Sequence, residues 1–145
     1  SDEWGELELC RCTELAGREW GVFHNVRLQA GDMSRGQTGG YWGDHSSHQN
    51  GIDGDFRYMR KDSEQPLDLA SSYERETYYD ELGTFTHMVN MINLCNVQYF
   101  FTDPTVVGFT NEDLFNVSEA TTNGEWLNYE NDHTDHFHLR IHQPL

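Results

Sequence analysis

Residues 135–142 alternate without a break: His136, His138, Arg140 and His142 share one parity, and Phe137, Leu139 and Ile141 share the other. Successive side chains of a β-strand point to opposite faces, so this segment makes a strand with one face built to pack and one that presents imidazoles. Such a strand requires a sheet covered on one side and open on the other. Residues 52–59 repeat the pattern, with Ile52, Phe56 and Tyr58 facing one way and Asp53, Asp55 and Arg57 the other.

The rest of the chain reads around these strands. In residues 71–94, Tyr78, Leu82, Phe85, Val89 and Ile92 recur at steps of four and three, which predicts a helix that Gly83 interrupts or splits. Residues 96–102 are rich in β-formers and end at Asp103-Pro104. Residues 111–119 predict a short helix with Asn111 as its cap and Asp113 in its first turn. Residues 20–28 read as a strand on the shared parity of Val22, Val26 and Leu28, and residues 31–43 as a Gly-rich loop. Because that loop lacks a Gly-Lys-Ser ending, it is not a phosphate loop. Residues 1–16 are acidic, with a short alternation at Leu7 and Leu9, and read as a peripheral segment of a single domain spanning 1–145. The expected fold is α+β: a small antiparallel sheet carrying the site on one face, with helices packed on the other.

Charge excludes whole classes of function. Nine Lys and Arg against 25 Asp and Glu leave a net charge of −16, a field that repels phosphate backbones and disfavours nucleic acid as a partner. No apolar stretch approaches the length of a membrane span. Three cysteines, Cys10, Cys12 and Cys95, are too few for a disulfide framework, but Cys95 can bridge one of the other two in an exported protein and leave a free thiol. No charged start with an apolar stretch opens these residues, so a signal peptide is not visible in them.

Two segments carry chemistry: Ser46-x-His48-x-x-Gly51-x-Asp53-x-Asp55 and His133-x-x-His136-x-His138. A turn at Gly51 would let His48 converge on Asp55, and His136 and His138 share a strand face. Catalytic zinc takes three protein ligands, nitrogen donors with a carboxylate among them, and keeps one position open. His48, Asp55 and His138 supply such a set and leave His136 for proton transfer.

These motifs together resemble the penicillin-insensitive murein endopeptidase family, within a wider group that includes lysostaphin-type enzymes, D-alanyl-D-alanine peptidases and the hedgehog amino-terminal domain. The resemblance is dense over residues 46–60 and 131–144 and looser between them. It implies one zinc ion per chain held by His48, Asp55 and His138, with His136 as general base and His133 as an auxiliary histidine. The implied activity is zinc-assisted hydrolysis of peptide cross-links in peptidoglycan, D-alanyl to meso-diaminopimelate bonds first among them. A metal-bound water would attack, and a protonated His133 would help the metal to stabilise the oxyanion. The implied partner is the peptidoglycan stem peptide and the implied place the periplasm or cell wall, in remodelling, phage lysis or an antibacterial effector with an immunity protein. Oligomeric state and substrate-binding residues are not legible.

This sequence departs from the group in places. The D,D-carboxypeptidase branch prefers a small residue where Asp53 stands and a Glu where Asp135 stands. Asp135 therefore competes with His136 as base, and either Asp53 or Asp135 can orient an imidazole from behind. Two alternatives stay open: a D,D-carboxypeptidase trimming terminal D-alanine, and a non-catalytic hedgehog-like zinc or wall-binding domain. His45 reads as an ordinary loop residue, and His24, His87 and His142 as structural or exposed. Arg57 and Arg60 suit either substrate carboxylates or salt bridges at a strand edge.

Overall fold

The computed structural model describes residues 2–23, 30–33, 52–62 and 65–142. Expectations for His24, His45, His48, the turn at Gly51, residues 24–28 and most of the Gly-rich loop lie outside the described residues.

Among the described residues four helices, α1 (Asp2–Phe23), α2 (Ser72–Tyr78), α3 (Glu81–Leu94) and α4 (Asn111–Val117), accompany five strands. The strands are β1 (Ala30–Met33), β2 (Asp53–Arg57), β3 (Val97–Thr102), β4 (Leu127–Tyr129) and β5 (His136–Ile141), in sheet order β1-β2-β5-β3-β4. The sheet is mixed rather than antiparallel, because β4 runs parallel to β3. It reaches β3 by way of α4, the crossover that a parallel pair needs. The two alternating segments are neighbours: Asp53 lies across from Arg140, Asp55 from His138 and Arg57 from His136.

One face of the sheet carries the core. Phe56, Phe100, Phe137, Leu139 and Ile141 are buried there with Met88 and Met91 of α3. Phe137 stacks on Phe56 at 5.7 Å and meets Phe100 edge-on at 5.7 Å. His87 lies inside this core, at 5.6 Å from both the Phe56 and Phe137 rings.

Further expectations need correction. Residues 20–23 are helical, not extended, because Leu9, Cys12, Ala16 and Trp20 repeat at helical steps and are all buried. Leu9, Cys12 and Ala16 join the core cluster, so this stretch does not lie apart from the domain. Cys12 is bridged to Cys95 at the end of α3, with Cα atoms 5.2 Å apart, and Cys10 is an exposed free thiol.

The second correction concerns residues 71–94. The helix breaks at Tyr79 and Asp80, not at Gly83. Tyr79 is extended and pairs with Arg60, while the Asp80 amide donates to the Met59 carbonyl at 2.9 Å. Asp80 then caps α3, accepting from the Gly83 amide at 2.8 Å. The third concerns α4, which is capped by Thr110 through a reciprocal capping box with Asp113. Asn111 instead accepts from the Leu127 amide at 2.8 Å and ties β4 to the helix. Part of the expected Gly-rich loop, residues 31–33, belongs to β1.

Candidate active site

Alternation in β2 and β5 puts Asp53, Asp55, His136, His138 and Arg140 on the face opposite the core. Asp53 is fully buried, and Asp55 and His138 are nearly so, at 8% and 3% exposure. The register sets His138 between the two carboxylates. Its Nε2–H donates to Asp53 Oδ1 at 2.7 Å, and its Nδ1 lies 3.0 Å from Asp55 Oδ1. Burial opposes a charge on His138, but the Asp53 and Asp55 carboxylates outweigh it and raise its pKa above the usual imidazole value.

His136, directly across the ladder from Arg57, approaches the same Asp55 carboxylate. Its Nδ1–H donates to Asp135 Oδ1 at 2.7 Å, and its Nε2 stands 3.8 Å from Asp55 Oδ1. A carboxylate can only accept, so this bond fixes the proton on Nδ1 and leaves a lone pair on the Nε2 of a neutral ring. Asp135 is thereby engaged behind His136.

His133 precedes the strand in a turn where Asp132 adopts a left-handed φ of 64°, a conformation that Asp tolerates better than most residues. Two long-range bonds hold that turn over the sheet. The Tyr58 hydroxyl donates to the His133 carbonyl at 2.7 Å, and the Leu69 amide donates to the Thr134 carbonyl at 2.7 Å. The Thr102 hydroxyl donates to Tyr58 in turn. Burial pushes the Tyr58 phenol well above its ordinary value, so it remains a donor.

The His133 ring stands 4.8 Å from that of His136 and 6.0 Å from that of His138. Its Nδ1–H donates to the Asn131 carbonyl at 2.7 Å. Burial, and then the neighbouring His136 and His138, hold its pKa below the usual value. When the ring is neutral, the bond to Asn131 leaves the lone pair at Nε2.

The structure thus brings together Asp53, Asp55, His133, Asp135, His136 and His138, while His48 lies outside the described residues. Among the described residues no three His, Cys, Asp or Glu side chains form a metal-holding group. They contribute two donors that suit a metal, Asp55 Oδ1 and His138 Nδ1. Two residues of this face were not singled out from sequence for the roles they take. Arg140 donates to Asp53, and Phe101 packs on His138 at 5.4 Å between ring centroids. The shared parity of Arg140 with His138 was the available signal.

A family model of penicillin-insensitive murein endopeptidases matches residues 1–94, more than half of the chain, and the chain belongs to that family. The matched stretch contains Asp53 and Asp55 together with the first fifty residues, from which the motifs alone drew little. His133, His136 and His138 lie beyond it, and it is the β2–β5 register that carries them to Asp55. No curated protein matches the chain. Membership makes it a peptidase of peptidoglycan, with the periplasm or cell wall as the implied place of action. Among the described residues no helix is long and apolar enough to cross a membrane.

Proposed function

We propose that this chain is a zinc-dependent murein endopeptidase that hydrolyses D-alanyl to meso-diaminopimelate cross-links. The observation that carries the reading is the convergence on Asp55 Oδ1, which faces His138 Nδ1 at 3.0 Å and His136 Nε2 at 3.8 Å. The outer nitrogens of both rings are taken by Asp53 and Asp135. This is the usual support for a metal-binding or proton-transferring imidazole, because the outer bond sets which nitrogen is left for work. His48 would join Asp55 and His138 to hold one zinc ion, which when bound supplies a Lewis acid and acidifies water.

The chain's own residues then divide the proton chemistry. His136 is the general base: its Nε2 takes a proton from water and returns it to the leaving amine. Asp135 orients that ring and is not itself the base. His133, neutral and beside His136, is a second proton acceptor rather than a cationic donor. Asp53 holds His138 with Nδ1 turned toward Asp55.

The test is digestion of purified cross-linked peptidoglycan, read by mass spectrometry, with and without a chelator and zinc restoration. Conversion of cross-linked dimers to monomers, lost on chelation and regained with zinc, is the expected result. Release of terminal D-alanine alone would replace the proposal with a carboxypeptidase. Intact muropeptides in the presence of one bound zinc per chain would leave a wall-binding domain.

A further inference from the structure

We infer that Tyr58 is a positioning residue for His133, acting through the backbone of the turn that carries that ring. Tyr58 directly follows β2 and is buried, with its ring 5.7 Å from Phe137 and edge-on to Tyr79 at 6.2 Å. Close packing of that kind holds the ring, and so the hydroxyl at its tip, in one place. A carbonyl can only accept a hydrogen bond and a backbone amide can only donate one. The Tyr58 proton therefore goes to the His133 carbonyl at 2.7 Å, while the hydroxyl accepts from the Asp103 amide and from Thr102 Oγ1. Thr102 is fully buried. The chain of donors runs one way, from the end of β3 through Tyr58 to the turn before β5.

The segment this strut holds has no regular structure of its own. Residues 130–135 form no helix or strand, and Asp132 keeps a φ of 64°. The His133 ring is bonded to the Asn131 carbonyl within the same turn at 2.7 Å, so it moves with that backbone. It stands 4.8 Å from the ring of His136, the base proposed above. The bond from the Leu69 amide to Thr134 would survive the loss of Tyr58 and leave His133 to swing about it, one residue away. A misplacement of about 1 Å at a reacting group can cost about 100-fold in rate. The consequence for rate rests on the endopeptidase reading; the consequence for the His133 ring does not.

Two readouts on the full chain supplied with zinc separate these. The first is the nuclear Overhauser contact between the ring protons of His133 and His136. The second is kcat and KM on cross-linked muropeptide dimers. Tyr58→Phe removes one oxygen and keeps the ring in the core. It should weaken the ring-to-ring contact and lower kcat by about 10- to 100-fold, with KM and zinc affinity little changed. In a His133→Ala background the same substitution should cost no further rate, because both act through one group. Thr102→Val should act in the same direction as Tyr58→Phe, and Thr102→Ser, which keeps the hydroxyl, should restore the rate.

The dispersion of the amide spectrum checks the fold, and Thr102→Val is read in place of Tyr58→Phe if the latter does not fold. A His133–His136 contact as strong as in wild type would overturn the inference. So would an unchanged kcat, or a loss in the His133→Ala background as large as that in wild type. Wild type that cleaves no muropeptide would overturn the endopeptidase reading, and the ring contact would still decide the role of Tyr58.

Discussion

Among the described histidines, His87 has the environment that departs furthest from that of an ordinary imidazole. It is buried among Trp20, Phe56 and Phe137, and neither ring nitrogen has a hydrogen-bond partner among the described residues. Burial pushes its pKa down to about 3. The unfolded chain takes up this proton near pH 6.5 and the folded chain does not, so stability is present above 6.5 and is lost as pH falls below it. The loss is about 2 kcal/mol between pH 8 and pH 5, at about 1.4 kcal/mol per unit. His138, with its raised pKa, acts in the opposite sense in the metal-free protein, so the informative quantity is a difference between variants. His87→Leu should flatten the acid limb of a urea-unfolding series against wild type; an unchanged limb would show that His87 does not titrate there.

At the site, His138→Ala should abolish both bound zinc, measured by elemental analysis, and muropeptide cleavage. His136→Ala should keep the metal and lower turnover by about 100- to 10,000-fold, the range for a general base. Loss of zinc in that variant would make His136 a ligand and reverse the assignment.

Elements are held to one another by a few long-range ties. The Cys12–Cys95 bridge joins α1 to the end of α3 across 83 residues of chain. Closing a loop of that length is worth about 4–5 kcal/mol in the chain-entropy model, and measured values for disulfides cluster at about 2–4 kcal/mol. The double Cys12→Ala, Cys95→Ala variant should lose stability in that range by chemical denaturation, whereas Cys10→Ser, at an exposed thiol, should change little. The turn that precedes α4 depends on Gly108, whose φ is +95° and whose position would place a Cβ against the Glu81 carboxylate. Gly108→Ala should cost about 1–3 kcal/mol, chiefly from the left-handed backbone, since the Glu81 side chain can swing away. A melting temperature equal to that of wild type would contradict this.

The whole molecule carries −16 charges and, as a member of its family, meets an anionic wall. Repulsion between exposed charges reaches about 10 Å at 0.1 M salt and about 3 Å at 1 M. Cleavage of intact sacculi should therefore accelerate with salt, while cleavage of small soluble muropeptides should change far less. Equal salt dependence on the two substrates would place the effect in the active site instead of in the approach.

Much of this architecture is local and so legible in the chain. The faces of β2 and β5 follow from period-two alternation, which reports backbone geometry directly. The extent of β3 follows from its run of β-formers ended by Asp103-Pro104, and the existence of α4 from the acidic first turn at Asp113. The free thiol follows from an odd cysteine count. The misreadings share one cause: a competing partner distant in sequence. Tyr79 and Asp80 leave the helix because residues 59–60 offer backbone hydrogen bonds, and no local pattern announces them. Residues 20–23 carry a strand-like parity, but burying Leu9, Cys12, Ala16 and Trp20 together against the core outweighs it.

By itself, the sequence determined which residue types could do chemistry and on which side of each strand they would stand. Only the tertiary structure decided their roles. The β2–β5 register put Asp55 opposite His138 and Asp53 opposite Arg140, pairs separated by more than eighty residues of chain. Burial and hydrogen bonds then assigned the protons: Nε2 of His138 to Asp53, Nδ1 of His136 to Asp135, Nδ1 of His133 to Asn131. A histidine carries no preference between its nitrogens in sequence; the acceptor that the fold places beside it makes the choice.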